Sequence, residues 1–239
     1  MLFRSNLNDL VKAGHITEEE AKTGRITMTK ERAKRMNLLD PYLMAVAKEV
    51  QAVRGTNRCL KVVNQEDVDP EVVRKAMTSR LVTIMKCDPL SGKVNRIKAR
   101  WCARGFLDTR DSIRTDAETC SSAAIQMVLQ WGLNKNYDLR IYDFTTAFLQ
   151  GWEYEGKDLE ESPWMTLPCE LKTGYGFLPN QLCKLRKPLY GLKDAPERWR
   201  RKLRAAFAAA GFVECQSDAC LMYRSEEHTS ELQSPDHLV

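Results

Sequence analysis

The sequence has no apolar run approaching the roughly 20 residues needed to cross a bilayer. Its opening stretch, MLFRSNLNDLVKAGH, lacks the apolar core of a secretory signal. Both absences argue against a membrane-spanning or exported protein and for an intracellular, cytoplasmic one. No C-x-x-C pair occurs either. The eight cysteines stand at 59, 87, 102, 120, 169, 183, 215 and 220, with no histidine at ligand spacing. That pattern speaks against a zinc site or a thiol redox motif and for buried or idle thiols. A Gly-rich nucleotide loop is missing too, so a doubly wound nucleotide-binding fold is not expected.

What is present is ordinary in amount and uneven in placement. The chain has 239 residues, 43% hydrophobic and 29% charged, enough for one or two domains with a proper core. The net charge of +5 is modest, but it gathers in two places. Between Lys184 and Arg204 lie Lys184, Arg186, Lys187, Lys193, Arg198, Arg200, Arg201, Lys202 and Arg204, against Asp194 and Glu197. Between Lys93 and Arg110 lie Lys93, Arg96, Lys98, Arg100, Arg104 and Arg110, against Asp108. Two such clusters suit a polyanionic partner, nucleic acid or nucleotide; a solvated helix face is the alternative.

Residues 1–40 read as a charged helical or partly disordered lead-in. Within them TEEEAKTG predicts a short helix with Thr17 as N-cap, Glu20 closing a capping box and Gly24 as the stop. Further helices are expected from Pro41 to about Arg54 and from Pro70, capped by Asp69. Residues 80–86 and 96–106 read as two strands of a hairpin about the turn DPLSGKV. Ile125, Val128, Leu129 and Leu133 share one face of a helix capped by Ser121 or Thr119. DLRIYDF returns to strand alternation and places Asp143 at the end of a buried strand, and 153–163 reads as an acidic loop. A last helix carries Pro196 in its first turn and Asp194 where its dipole favours an anion, and it stops at Gly211. Trp199, Leu203 and Phe207 mark its buried face. Helices interleaved with hairpins make the expected fold class α+β, an antiparallel sheet with packed helices.

Three segments together carry a family likeness: KARWCARGF (98–106), DFTTAFLQG (143–151) and CKLRKPLYGLKDAPERW (183–199). Their order and spacing resemble a copia-type retrotransposon reverse transcriptase over residues 41–223, most clearly from Arg80 onward. ETCSS, WMTLP and GFVECQSDACLMY are lesser matches. The resemblance implies a partial right-hand polymerase fold, fingers and incomplete palm. It also implies an RNA template, a DNA primer, deoxynucleotides, two Mg2+ ions and the rest of a retrotransposon polyprotein as partners.

The resemblance assigns roles residue by residue. Asp143 stands where the family holds both metals, with the backbone carbonyl of Phe144 assisting; an edge-strand Asp in a turn is the alternative. Phe148 falls where an aromatic lies beneath the incoming sugar and would reject a 2′-hydroxyl, unless it is a core residue. Gly191 permits a close backbone approach, and Lys193 is placed to reach a phosphate. Asp194 stands where many members carry Gln, setting an acid beside the expected polyanion. Lys98 and Arg100 alternate onto one strand face, with Arg104 on the same register, as two or more cations gripping a triphosphate require. An exposed basic hairpin with no ligand is the alternative there. Trp101, replacing an aliphatic, is a packing change.

The family's remaining catalytic carboxylates sit in a Tyr-x-Asp-Asp hairpin soon after the segment matched by SDACLMY. This chain has no Tyr-x-Asp-Asp. Residues 224–239 read differently: RSEEHTSELQS resembles the in-frame translation of a sequencing-library adapter, the alternative being a native disordered tail. The expectation is a polymerase whose Asp143 has lost its partners and which is inactive as it stands. A non-enzymatic nucleic-acid-binding relic of a retrotransposon is the other reading.

Overall fold

The computed structural model describes residues 6–88, 91, 93–111, 113–172 and 174–224. The adapter-like tail beyond Arg224 lies outside the described residues. Residues 6–38 fold into three short helices and a strand: α1 (Leu7–Lys12), α2 (Glu18–Thr23), β1 (Ile26–Thr27) and α3 (Lys30–Arg35). Local chemistry sets α2 as read from sequence. Thr17 Oγ1 accepts from the Glu20 amide at 3.1 Å, and the Glu20 carboxylate accepts from the Thr17 amide at 3.0 Å. Gly24 ends the helix with a left-handed φ of 63°. Arg32 then ties the unit together, meeting both Glu20 oxygens at 2.7 Å and the His15 carbonyl at 2.7 Å. Hydrogen bonding to Arg32 holds the Glu20 carboxyl at about 2, although burial opposes this.

Helix α4 (Leu39–Val50) begins two residues before Pro41 and passes into a π-helical turn, Gln51–Thr56. Pro41 is tolerated because amides of a first helical turn have no intrahelical acceptor. After β2 (Leu60–Asn64), α5 (Pro70–Lys75) starts as expected, with the Asp69 side chain accepting from the Glu71 amide. The hairpin follows as β3 (Ser79–Cys87) and β4 (Val94–Ala103), in register from Ser79 opposite Ala103 to Lys86 opposite Arg96, with an irregularity at Cys87. Strand β1 adds to its β3 edge, giving the antiparallel order β1-β3-β4.

From Ile97 onward strand β4 alternates: Ile97, Ala99, Trp101 and Ala103 are buried, as is Val94 beyond the register irregularity, and the residues between are exposed or half-buried. Helix α4 covers that buried face with Tyr42, Val46 and Val50, and Val53 of the π turn joins the same core. Trp101, expected as a packing change, is fully buried. Its indole Nε1 donates to Ser79 Oγ at 3.0 Å, and its ring meets Phe177 edge-on.

Helix α6 (Ser122–Asn134) is capped by Ser121, whose hydroxyl accepts from the Ala124 amide at 3.1 Å. The segment 153–163, read as a loop, contains α7 (Gly156–Glu160). Strands β5 (Trp164–Thr166) and β6 (Gln181–Leu185) pair with β2 in the antiparallel order β2-β6-β5. Helix α8 (Ala195–Ala209) leads into the short hairpin β7 (Val213–Glu214) and β8 (Met222–Tyr223). The architecture is α+β with antiparallel sheets and packed helices. Among the described residues no helix is long and apolar enough to cross a membrane.

Two apolar expectations are corrected. Residues 138–144 form no strand, and Ile141 is 99% exposed. A strand is stabilised by its neighbours, and among the described residues none pairs with this segment. The expected core face of α6 is likewise open, with Ile125 49% and Leu133 65% exposed. Trp199, Leu203 and Phe207, expected as a buried face, are half-buried and line a cleft of about 570 Å³ shared with Phe148, Phe212 and Leu221.

Candidate nucleic-acid interface

The outer face of the β3–β4 hairpin is built by register. Arg80 lies opposite Cys102, Val82 opposite Arg100, Ile84 opposite Lys98 and Lys86 opposite Arg96. Directly opposed residues share a face, so Arg80, Lys86, Arg96, Lys98 and Arg100 all stand on the side turned away from α4. All five are exposed, and none makes an ion pair among the described residues. Partial burial first, then the charges of Arg100, Arg96 and Lys86, push the Lys98 ammonium below its ordinary value. A bound anion relieves that mutual repulsion. Arg100 also lies over the Tyr190 ring, its guanidinium carbon 5.9 Å from the centroid.

The sequence picked out Lys98 and Arg100 from strand alternation but left out Arg80 and Lys86, which the opposite strand supplies. Pairing about the 88–92 turn was the available signal for them. Arg104 is exposed but follows the last residue of β4, and its amide donates to the Thr78 carbonyl at 3.0 Å. It therefore sits at the Arg80 end of the face, just beyond the strand.

At that end the backbone of 189–192 packs against the hairpin. The Ala103 amide donates to the Tyr190 carbonyl at 2.8 Å. Gly191 has φ +90°, and a Cβ there would lie 2.2 Å from the Ala103 carbonyl oxygen. A Cβ on Gly105 would lie 2.0 Å from the Gly191 carbonyl oxygen. The close approach that Gly191 permits here is to the backbone of its own chain, whereas the resemblance assigns it to a nucleotide.

Below this contact lies a chain of buried charges. Asp194, 2% exposed, accepts from Arg198 at 2.9 Å, from Arg110 at 3.3 Å and from the Tyr154 hydroxyl at 3.0 Å. Arg110 also meets Asp108 at 2.7 Å, and Arg198 meets Asp158 at 2.8 Å. Both guanidiniums flank the Tyr154 ring, at 5.5 and 4.1 Å from its centroid. Burial, then the Asp194 charge, raise the Tyr154 phenol well above its usual value. Burial opposes ionisation of Asp108, but hydrogen bonds from Arg110 leave its carboxyl below the usual value. Asp194 therefore does not face a polyanion as expected; it is interior and surrounded by cationic and hydroxyl donors. Lys193, expected to reach outward, has its Nζ on the Asp108 carbonyl at 2.8 Å.

The remaining predicted residues lie elsewhere. Asp143 is exposed on the irregular 138–144 segment. Phe144 rests edge-on against Trp199, with ring centroids 5.3 Å apart. Phe148 belongs to the 3-10 turn Ala147–Gln150 and meets Tyr190 at 6.1 Å. Among the described residues there is no group of three His, Cys, Asp or Glu side chains able to hold a metal. Asp143 and the Phe144 carbonyl alone do not fit a two-ion centre. The cysteines are all free, and burial pushes the Cys59 and Cys183 thiols up to about 12, as suits inert thiols.

Fold and site together define an α+β protein that presents a cationic sheet face, without ion pairs among the described residues, beside a glycine-mediated backbone contact. The chain belongs to the reverse transcriptase (RNA-dependent DNA polymerase) family, whose model matches residues 64–231. It is similar to the retrovirus-related Pol polyprotein from transposon RE1 of Arabidopsis thaliana, at 36% identity over 136 residues, 54% of this chain and 8% of that protein. The corresponding polyprotein from transposon RE2 is 34% identical over 136 residues, again 54% of this chain and 8% of the relative. That from transposon TNT 1-94 of Nicotiana tabacum is 27% identical over 193 residues, 74% of this chain and 14% of the relative. The chain thus spans only 8–14% of the length of these curated relatives. No solved structure matches it.

Proposed function

We propose that this chain is the fingers and part of the palm of an RNA-directed DNA polymerase carried in a retrotransposon polyprotein. Its cationic hairpin face holds the phosphates of a deoxynucleotide or of an RNA template and DNA primer. The observation that carries the reading is the set Arg80, Lys86, Arg96, Lys98 and Arg100, without ion pairs among the described residues, on one sheet face of a reverse transcriptase family member. Two-metal nucleotidyl transfer belongs, in this reading, to the longer parent, where further carboxylates join Asp143; no step through the ions follows from the residues described. The chain of residues 1–239 is inactive by itself, because one exposed carboxylate does not hold a metal pair.

Primer extension on an RNA template with Mg2+ tests this directly. No extension is expected from the chain alone, with salt-sensitive binding of primer–template retained. Robust extension would overturn the assignment of the metal site. The second reading, a nucleic-acid-binding relic without catalysis, draws on the same pairing of complete cations with a solitary Asp143. Genomic sequence across codon 223 separates the two. An in-frame Tyr-x-Asp-Asp favours the polymerase, and a stop or frameshift favours the relic.

A further inference from the structure

Phe106 is 77% exposed, on the 3-10 turn Gly105–Leu107 that immediately follows β4. A single exposed apolar side chain is unremarkable on its own. This one differs in how firmly its turn is held. The Leu107 amide donates to the Arg104 carbonyl at 2.9 Å, and the Asp108 amide donates to the Gly105 carbonyl at 3.1 Å. Gly105 is buried against the Gly191 carbonyl, in a space that admits no side chain. Asp108 is gripped by Arg110, and Lys193 Nζ holds the Asp108 carbonyl at 2.8 Å. The ring therefore projects into solvent from a backbone fixed on both sides.

Its position along the chain is as telling. Arg104 lies two residues before it and is exposed. The Arg104 amide bonds the Thr78 carbonyl, two residues from Arg80, where the cationic face of the hairpin ends. A track of cations ending at a rigid, solvent-facing aromatic has the two parts of a single-strand binding surface. Charges follow the phosphates, and a flat ring accepts an unpaired base.

We infer that Phe106 is the stacking surface for an unpaired base of a single-stranded nucleic acid whose phosphates lie along Arg80, Arg96, Lys98, Arg100 and Arg104. This rests on the reading that the hairpin face binds polyanions. Stacking on a ring shows no hydrogen-bond readout, so the contact tolerates any base.

The test is fluorescence anisotropy with the full chain at fixed low salt. The probes are a labelled oligodeoxythymidylate and an abasic strand of the same length. The wild-type chain is expected to bind the base-bearing strand at least about fivefold more tightly than the abasic one. Phe106→Ala removes that ratio while leaving abasic affinity unchanged, and Phe106→Trp keeps it. Lys98→Ala with Arg100→Ala weakens both strands alike. If Phe106→Ala leaves the ratio intact while the double variant weakens both, the stacking inference is overturned and the polyanion reading stands. If the double variant weakens neither, the polyanion reading fails and this inference with it. Because Phe106 is exposed, its replacement does not threaten the fold.

Discussion

The backbone amide of Trp101 donates to the carboxylate of Glu49 at 2.9 Å, and both residues are buried. Glu49 comes from α4, and the amide it accepts from lies on the edge of β4 that β3 leaves free. The contact satisfies a strand-edge donor and registers the helix on the hairpin, at the cost of burying an acid. Burial raises the Glu49 carboxyl above its ordinary value of 4.5, against the opposing effects of the Trp101 hydrogen bond and the Arg100 and Lys98 charges.

The sign of the resulting pH dependence follows. With the folded value above the unfolded one, the folded state binds more protons in the interval between them, so Glu49 lowers stability as pH rises through that interval. Glu49→Gln keeps an acceptor and removes the charge. Denaturant midpoints across a pH series should show this variant more stable than wild type at neutral pH, with the advantage gone at or below about pH 4. Glu49→Ala strands the Trp101 amide and should cost about 1–3 kcal/mol.

Gly191→Ala should destabilise the chain by about 2 kcal/mol or more. The left-handed φ of +90° is strained for alanine, and the new Cβ meets the Ala103 carbonyl at 2.2 Å. Urea unfolding measures the loss. Since the same contact seats the 105–107 turn, Gly105→Ala should act in the same direction. A neutral result for both would mean that the 189–192 backbone does not rest on the hairpin.

Local chemistry made much of the fold readable in advance. Thr17, Glu20 and Gly24 specify α2 within eight residues, and Asp69–Pro70 opens α5 the same way. Alternation along 96–106 places Lys98 and Arg100 together on one strand face, as the hairpin shows them. Long-range partnerships were not readable. Nothing in the spacing of Asp108, Tyr154 and Asp194 announces that they share one buried network, so the sequence alone sets Asp194 beside a polyanion rather than in the interior. The 138–144 segment failed for a related reason: its alternation fits a strand, but pairing decides whether a strand forms. Asp143 was readable as a motif position, whereas its surroundings depend on segments far away in sequence.

The open face of α6 predicts self-association. Ile125, Leu129 and Leu133 share that face and are each 45% or more exposed, and contiguous apolar surface of this kind drives aggregation. Light scattering should show concentration-dependent association of the chain, reduced in the double variant Leu129→Glu, Leu133→Glu. A monodisperse monomer with a cooperative thermal transition at high concentration would refute this.

Asp194 gives the sharpest test of the interior charges. Its carboxylate is shared by Arg110, Arg198 and the Tyr154 hydroxyl, so removing it leaves two guanidiniums beside one ring without the acid they share. Asp108 and Asp158 offset part of that charge, but Asp158 is largely exposed and acts more weakly. Asp194→Ala should therefore cost about 3–5 kcal/mol in urea unfolding, the range for breaking a buried pair from one side. Asp194→Gln should also destabilise, since it restores size and an acceptor but no charge. Adding Arg198→Leu to that variant should recover part of the loss, because Asp194 was its buried counter-charge and the Asp158 left behind is largely exposed. Tolerance of Asp194→Gln within about 0.5 kcal/mol, on the scale of a neutral surface change, would mean that Asp108 and Asp158 alone balance both arginines.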